Sequence, residues 1–430
     1  MSDEAFDAII VGAGPAGATA AYVLAKAGAE VLVIERGNYA GSKNVTGGRL
    51  YAHSLEKIMP NFAEQAPVER RIIKERISFL TEESGVTIDY HTGQENKPQA
   101  ASYSVLRAKF DSWLMSQAEE AGAQFVPGIR VDNVVMENGK VIGVEADGDV
   151  LEAKVVILAD GVNSILAEKL GMLTKPVNKG AVAVGVKELI ELPREQLEDR
   201  FNLQAKEGVA WLFAGSPSNG LMGGGFLYTN ENTLSLGLVC GLHDIHTSSR
   251  SVPQMLEDFK QHPVVKPLIA GGKMVEYSAH VVPEAGINMM PEIVGEGVLI
   301  AGDAAGMCLN LGFTIRGMDL AIASGEAAAK AVLKAKEQES FTAQTLNCYK
   351  DLLEESAMMH DLRLYKKLPA FMENPRMFTQ YPEMVAGVMS DMFTIDGSPA
   401  QPMRKKVTQR AKKVGYWNLI KDGIKGMGAI

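Results

Sequence analysis

The residues best suited to chemistry stand near the start of the chain. Gly12, Gly14 and Gly17 follow the apolar run Phe6-Asp7-Ala8-Ile9-Ile10-Val11 at Gly-x-Gly-x-x-Gly spacing. A second apolar run, Val31-Leu32-Val33-Ile34, ends in Glu35 and is followed by Arg36. This spacing suits a bound dinucleotide. Gly12 permits a tight turn, Gly14 lets the backbone approach a pyrophosphate, and Gly17 lets a helix lie close on a sheet. Pro15 and Ala16 open that helix, where a missing proline N–H costs nothing. Its free N–H groups and positive dipole end face the phosphates. The Glu35 carboxylate can accept hydrogen bonds from a ribose, a role that an ordinary strand–helix turn would not need. At this point NAD and FAD both fit.

Two further points bring backbone and carboxylate together. Val155-Val156-Ile157-Leu158 reads as a buried strand that ends in Asp160-Gly161. Val298-Leu299-Ile300 ends in Gly302-Asp303, followed by Gly312-Phe313-Thr314 and a long Ala-rich helix to about Lys336. The loop from Lys43 through Asn44, Val45, Thr46, Gly47 and Gly48 to Arg49 has flexible ends around polar and basic residues. It either runs under a cofactor ring or lies on a solvated surface. Arg107 opens an amphipathic helix whose apolar face is Phe110, Leu114 and Ala118. A cation there opposes the helix dipole, so an anion should lie close by, either a bound pyrophosphate or a neighbouring carboxylate. No Ser/His/Asp or Cys/His nucleophile set is apparent. His243 and His246 lack a third ligand, so no metal is assigned.

These segments need a strand–helix–strand unit to carry them. Residues 129–158 read as a three-stranded meander with turns at Asn138-Gly139 and Asp147-Gly148. Residues 180–285 alternate in short apolar runs and suggest an antiparallel sheet inserted into the first unit, with one helix near 252–261. From 340 the chain reads as helical and Met-rich, either adaptable core or a docking surface. The expected fold is therefore α/β: a discontinuous Rossmann-like unit (1–75, 103–178 and 286–340), an inserted sheet unit (76–102 and 179–285) and a helical C-terminal region (341–430).

The chain has 430 residues, enough for more than one core. Its net charge of −9 argues against general nucleic-acid binding. Residues 404–430, however, carry eight Lys or Arg against Asp422 alone. With Val407, Ala411, Val414, Trp417, Ile420 and Ile424 at helical spacing, this tail could lie on an anionic membrane surface or pack on protein. Cys240, Cys308 and Cys348 include no C-x-x-C pair, which argues against a disulfide scaffold, a zinc site or an iron–sulfur cluster held by this chain alone. Neither a signal peptide nor a membrane span is expected. The expected compartment is the cytoplasm, with contact at the inner face of the cytoplasmic membrane through the tail.

The glycine motif with Glu35, Asp160-Gly161 and Gly302-Asp303, in this order, resemble the para-hydroxybenzoate-hydroxylase-type flavoproteins, also called the glutathione-reductase-2 group. Within that group the chain most resembles electron-transfer-flavoprotein:quinone oxidoreductases of the FixC type. The resemblance rests on Lys43–Arg49, Ser104-Val105-Leu106-Arg107, Gly220–Gly225, Gly302–Met307, Lys367–Phe371 and Phe393–Gly397. It implies noncovalent FAD as the redox-active group. Gly12, Gly14, Pro15, Ala16, Gly17, Glu35 and Arg36 would take the ADP half. Arg107 and Val131 would flank pyrophosphate and adenine. Asp160, Gly161 and Gly302 would contact the cofactor, and Asp303 would hold the ribitol. Lys43, Asn44, Thr46, Gly47 and Gly48 would run under the flavin, and Gly312, Phe313 and Thr314 would meet its pyrimidine edge. The larger members carry a cysteine-rich 4Fe–4S region that this sequence lacks. The resemblance therefore implies a separate small ferredoxin-like partner, a two-subunit electron-transfer flavoprotein as donor, and a quinone as another acceptor. Other readings of the fold are a prenyl-chain reductase, an aromatic hydroxylase, or a subunit whose flavin is not catalytic.

Overall fold

In the computed structural model the described residues are 5–43, 48–92, 98–173, 182–284 and 286–430. The first sheet is built on five parallel strands in the order Val298–Ile300, Asp149–Leu158, Phe6–Val11, Val31–Glu35 and Gln124–Pro127. Their near-continuous Val/Ile/Leu content suits strands covered on both faces. Ile9, Ile10, Val33, Val156 and Leu299 are buried accordingly. The Val131–Glu137 and Lys140–Ala146 strands form the expected meander with Asp149–Leu158.

The Pro15–Lys26 helix packs on this sheet, and the Met318–Glu337 helix packs tightly against that helix. A Cβ on Gly325 would lie 2.2 Å from the Ala16 carbonyl oxygen, so this contact requires glycine. The Arg107–Glu120 helix buries Phe110, Leu114 and Ala118 as its spacing predicts.

The second sheet has nine strands. Lys273–Pro283, Val182–Glu191, Thr233–Gly241, Gly223–Thr229 and Glu207–Gly215 run antiparallel to their neighbours in that order. Glu207–Gly215 then pairs parallel to Val68–Leu80, so the expected antiparallel sheet contains one parallel junction. Gly85–His91, Ser102–Val105 and Arg49–Tyr51 complete it. The Val68–Leu80 strand runs across the division expected at residue 75, and the sheet also draws in Arg49–Tyr51 and Ser102–Val105. Hydropathy hides that strand because it buries Arg70 and Lys74. Backbone carbonyls satisfy both: Arg70 donates to Asn230 and Glu207, and Lys74 to Phe201.

The C-terminal region is helical as expected. Met358 and Met359 are buried in the core of the first unit, while Met392 is exposed. The tail forms two helices, Met403–Val414 and Tyr416–Met427, broken at Gly415 (φ +92°) and continuous through Gly423. Val414 turns inward. Trp417, 83% exposed, leads an outward face with Ile420, Ile424 and Met427. Asp422 is buried and takes both Arg376 Nε (2.7 Å) and Nη2 (2.8 Å), which anchors the last helix on its own chain. Among the described residues no helix is long and apolar enough to cross a membrane.

Candidate functional site

The loops after the parallel strands meet at one sheet edge, the place where α/β sheets bind ligands. Gly12 leaves its strand at φ +99°, and a Cβ there would lie 2.4 Å from the Ala159 carbonyl oxygen. A Cβ on Gly17 would lie 1.9 Å from the Gly12 oxygen. Gly14 caps the helix in extended backbone, with Pro15 and Ala16 in its first turn. The Glu35 carboxylate accepts from the Ala13 N–H (3.0 Å) and the Gly37 N–H (2.6 Å), which aims it back at the glycine turn. Arg36 is exposed beside it, and its charge reaches both Asp160 and His280.

Asp160 lies against Gly12. Burial pushes its carboxyl up to about 6, against the pull of the Leu166 N–H and Arg36, and its Oδ1 has no partner. Gly161 follows at φ +80°. The Gly302–Ala305 turn sits on the start of the Pro15–Lys26 helix, where a Gly302 Cβ would lie 2.9 Å from that of Ala16. Burial raises the Asp303 carboxyl as well, opposed by the Arg107 charge. Arg107 pairs with Asp111 through two contacts of 2.7 Å. Of the two anions considered for Arg107, the neighbouring carboxylate is therefore present. Val131, buried, opens its strand opposite Ala146.

This edge fits a dinucleotide on its own terms. Two glycines admit no Cβ, and the buried Asp160 Oδ1 and Ser42 Oγ lack hydrogen-bond partners. Buried polar atoms are ordinarily paired, so such orphans suit a ligand that supplies donors and acceptors.

Between the nine-stranded sheet and the Phe313–Ile315 segment lies a cavity of about 230 Å³. Phe313, Thr314 and Ile315 line one side of it; Ala210, Leu212 and Tyr228 line the other. Arg49 donates to Glu75 from Nη1 (2.8 Å) and from Nη2, and its guanidinium stacks 4.5 Å from the Tyr51 ring centre. Burial raises the Tyr51 and Tyr228 phenols, so both stay protonated donors. Gly48 presses on Tyr228, where a Cβ would lie 2.5 Å from the ring. Phe313 is 46% exposed and Gly312 turns at φ +79°. Lys43 is exposed. Asn44, Val45, Thr46 and Gly47 lie outside the described residues. Sequence reasoning singled out the Gly312–Thr314 side but not Tyr51, Glu75 or Tyr228. These lie far apart in the chain, and only the fold brings them together.

An FAD-binding domain model matches residues 5–208, and a model of the ETF-QO ubiquinone-binding domain matches 182–282. The chain is an FAD-dependent oxidoreductase. The FixC protein of Escherichia coli K12 is 70% identical over 427 residues, covering 99% of each chain. A probable electron transfer flavoprotein-quinone oxidoreductase of the same organism, YdiS, is 63% identical over 430 residues, covering all of both. The ETF-QO/FixC C-terminal domain model matches 368–430. The chain belongs to the ETF-QO/FixC family. Among solved structures, a geranylgeranyl bacteriochlorophyll reductase-like protein of Thermoplasma acidophilum superposes with a TM-score of 0.72. It shares 20% identity and covers 97% of this chain and 98% of its own. The flavin-dependent brominase Bmp2 gives 0.59 at 15% identity, covering 99% and 93%. At such identity these two establish the shared fold alone.

Proposed function

We propose that this oxidoreductase takes electrons from a two-subunit electron-transfer flavoprotein and passes them to a quinone or a small ferredoxin-like protein. The cavity against the nine-stranded sheet carries the reading. One wall, Ala210, Leu212 and Tyr228, falls in the segment matched by the ubiquinone-binding model, and the other is the Phe313–Ile315 loop. The full-length likeness to a probable electron transfer flavoprotein-quinone oxidoreductase supports the donor. Three cysteines cannot ligate a four-cysteine cluster, so an iron–sulfur relay would come from another protein.

In this reading Gly12, Gly14, Pro15, Ala16, Gly17, Glu35 and Arg36 hold the ADP half of FAD. Arg107, Val131, Asp160, Gly161, Gly302 and Asp303 flank its middle. Lys43, Asn44, Thr46, Gly47, Gly48, Gly312, Phe313 and Thr314 meet the ring. Bound FAD supplies the redox chemistry; the chain supplies position, charge and exclusion of water. The dipole of the Met318–Glu337 helix favours negative charge at its start. The chain divides, on this account, into the FAD unit, the inserted sheet and the helical region expected from sequence. The exposed Trp417, Ile420, Ile424 and Met427, with Lys421 and Lys425 beside them, rest on the anionic inner face of the cytoplasmic membrane.

The test is anaerobic electron transfer. Holoprotein mixed with reduced electron-transfer flavoprotein should reduce a water-soluble quinone or a ferredoxin at a rate proportional to its concentration. Failure with both acceptors would overturn the reading. NAD(P)H oxidation stimulated by a small substrate, with no partner protein, would instead indicate a reductase or hydroxylase.

A further inference from the structure

Glu284 is a buried carboxyl that the function above does not use. It stands where the chain leaves the Lys273–Pro283 strand of the nine-stranded sheet and heads for the parallel sheet. One hydrogen bond is given to it: Asn310 Nδ2 donates to Glu284 Oε2 at 2.6 Å. The other end of that amide is occupied too, because Asn310 Oδ1 accepts from the Gly312 N–H at 2.8 Å. A single side chain thus ties Glu284 to the backbone of Gly312-Phe313-Thr314. Cys308 lies alongside, and its carbonyl oxygen would be 3.0 Å from a Cβ on Gly286.

We propose that Glu284, acting through Asn310, is a positioning residue that holds the Gly312–Thr314 loop and takes up a proton when the flavin gains electrons. This rests on the reading that places the flavin ring against that loop. The step is a proton transfer only. A solvent proton adds to the ionised carboxylate and gives the neutral acid, and nothing in Glu284 is oxidised or reduced. The electrons come from the reduced donor.

The surroundings suit this role. Burial pushes the Glu284 carboxyl up to about 7, opposed by the Asn310 hydrogen bond, so it is poised between its two forms at neutral pH. Among the described residues, the titratable groups beside it include Cys308, His280, Asp303 and Asp319. Cys308, whose thiol feels the carboxylates of Glu284, Asp303 and Asp319, is pushed well up by burial and stays a neutral thiol. His280, four residues back on the strand, is lowered by burial and by the charges of Arg36 and Arg107, and is neutral at pH 7. Asp303 has Arg107 opposite, and Asp319 is paired with Arg316 and His53. A negative charge arriving at the loop raises the proton affinity of Glu284 further, because like charges disfavour ionisation.

The test is proton uptake per flavin reduced, measured with a pH indicator in weakly buffered holoprotein during stoichiometric dithionite titration from pH 6 to 9. Above pH 7, wild-type protein should take up more protons per flavin than Glu284→Gln. Towards pH 6 the difference should shrink to about a tenth of its full size or less, since most of the wild-type acid is already protonated there. Glu284→Asp should restore part of the difference. Equal uptake by wild type and Glu284→Gln across the range, with flavin content unchanged, overturns the role of Glu284 and leaves the site reading intact. Wild-type protein that holds no flavin overturns both. If Glu284→Gln does not fold, infrared difference spectra of wild-type protein decide. A carboxylic-acid C=O band gained on reduction at pH 8 supports the proposal, and its absence rejects it.

Discussion

The edge of the parallel sheet and the cavity against the nine-stranded sheet are built from different materials. The edge of the parallel sheet is made of backbone: Gly12, Gly17 and Gly302 are placed where no Cβ fits or where φ is positive. The side chains of Glu35, Arg107, Asp160 and Asp303 border that backbone. The facing cavity is made of side chains: the Arg49–Glu75 pair, the Tyr51 and Tyr228 phenols and the Phe313 ring. A backbone cradle binds what every dinucleotide shares. A side-chain pocket can select among acceptors, because rings and charges differ from one ligand to another. The edge should therefore govern cofactor retention, and the cavity should govern what the cofactor reacts with.

Breaking the edge should have the largest effect. Gly17→Val drives a side chain into the Gly12 carbonyl, so the purified variant should carry less than about a tenth of wild-type FAD, read as flavin absorbance per chain. Next comes the rim. Arg107→Ala leaves Asp111 buried without its ion pair, and breaking such pairs costs about 3–5 kcal/mol. Urea unfolding should show that loss, and adding Asp111→Asn should recover part of it.

Asp160 gives a smaller effect with a definite sign. Its native carboxyl is raised to about 6 from an ordinary value near 3.8. The stability it contributes is then fully present below pH 4 and lost as pH rises through 6. The loss should be about 2–3 kcal/mol relative to Asp160→Asn, measured on apoprotein by thermal unfolding between pH 4 and 7. The smallest effect sharpens the cavity side. Glu75→Gln leaves the Arg49 guanidinium a neutral partner. FAD content should hold while kcat/KM for quinone falls about tenfold, or ~1.4 kcal/mol.

The same contrast explains what the sequence revealed. Gly12, Gly14, Gly17 and Glu35 were legible because a turn that needs glycine and a ribose that needs an acid leave a fixed spacing over a short stretch. Asp160 and Gly302-Asp303 were legible because each ends an apolar strand. The cavity was legible only on its Phe313–Thr314 side, because Tyr51, Glu75 and Tyr228 come from separate segments and no local pattern joins them. Val68–Leu80 is hard to see in the sequence: its buried Arg70 and Lys74 look like surface residues until the carbonyls that accept from them are known. The need for an anion beside Arg107 was legible, but that Asp111 meets it is visible only in the fold.

The central claim is that the edge holds FAD while the cavity admits the electron acceptor. Leu212 lines the cavity, and its strand neighbours Trp211 and Phe213 pack into the core on the other face. Leu212→Trp should fill the cavity without touching the edge. Stopped-flow reoxidation of dithionite-reduced holoprotein by a water-soluble quinone tests this directly. FAD content should match wild type, and reoxidation should slow at least about tenfold, or ~1.4 kcal/mol in the barrier. An unchanged reoxidation rate at unchanged flavin content would contradict it.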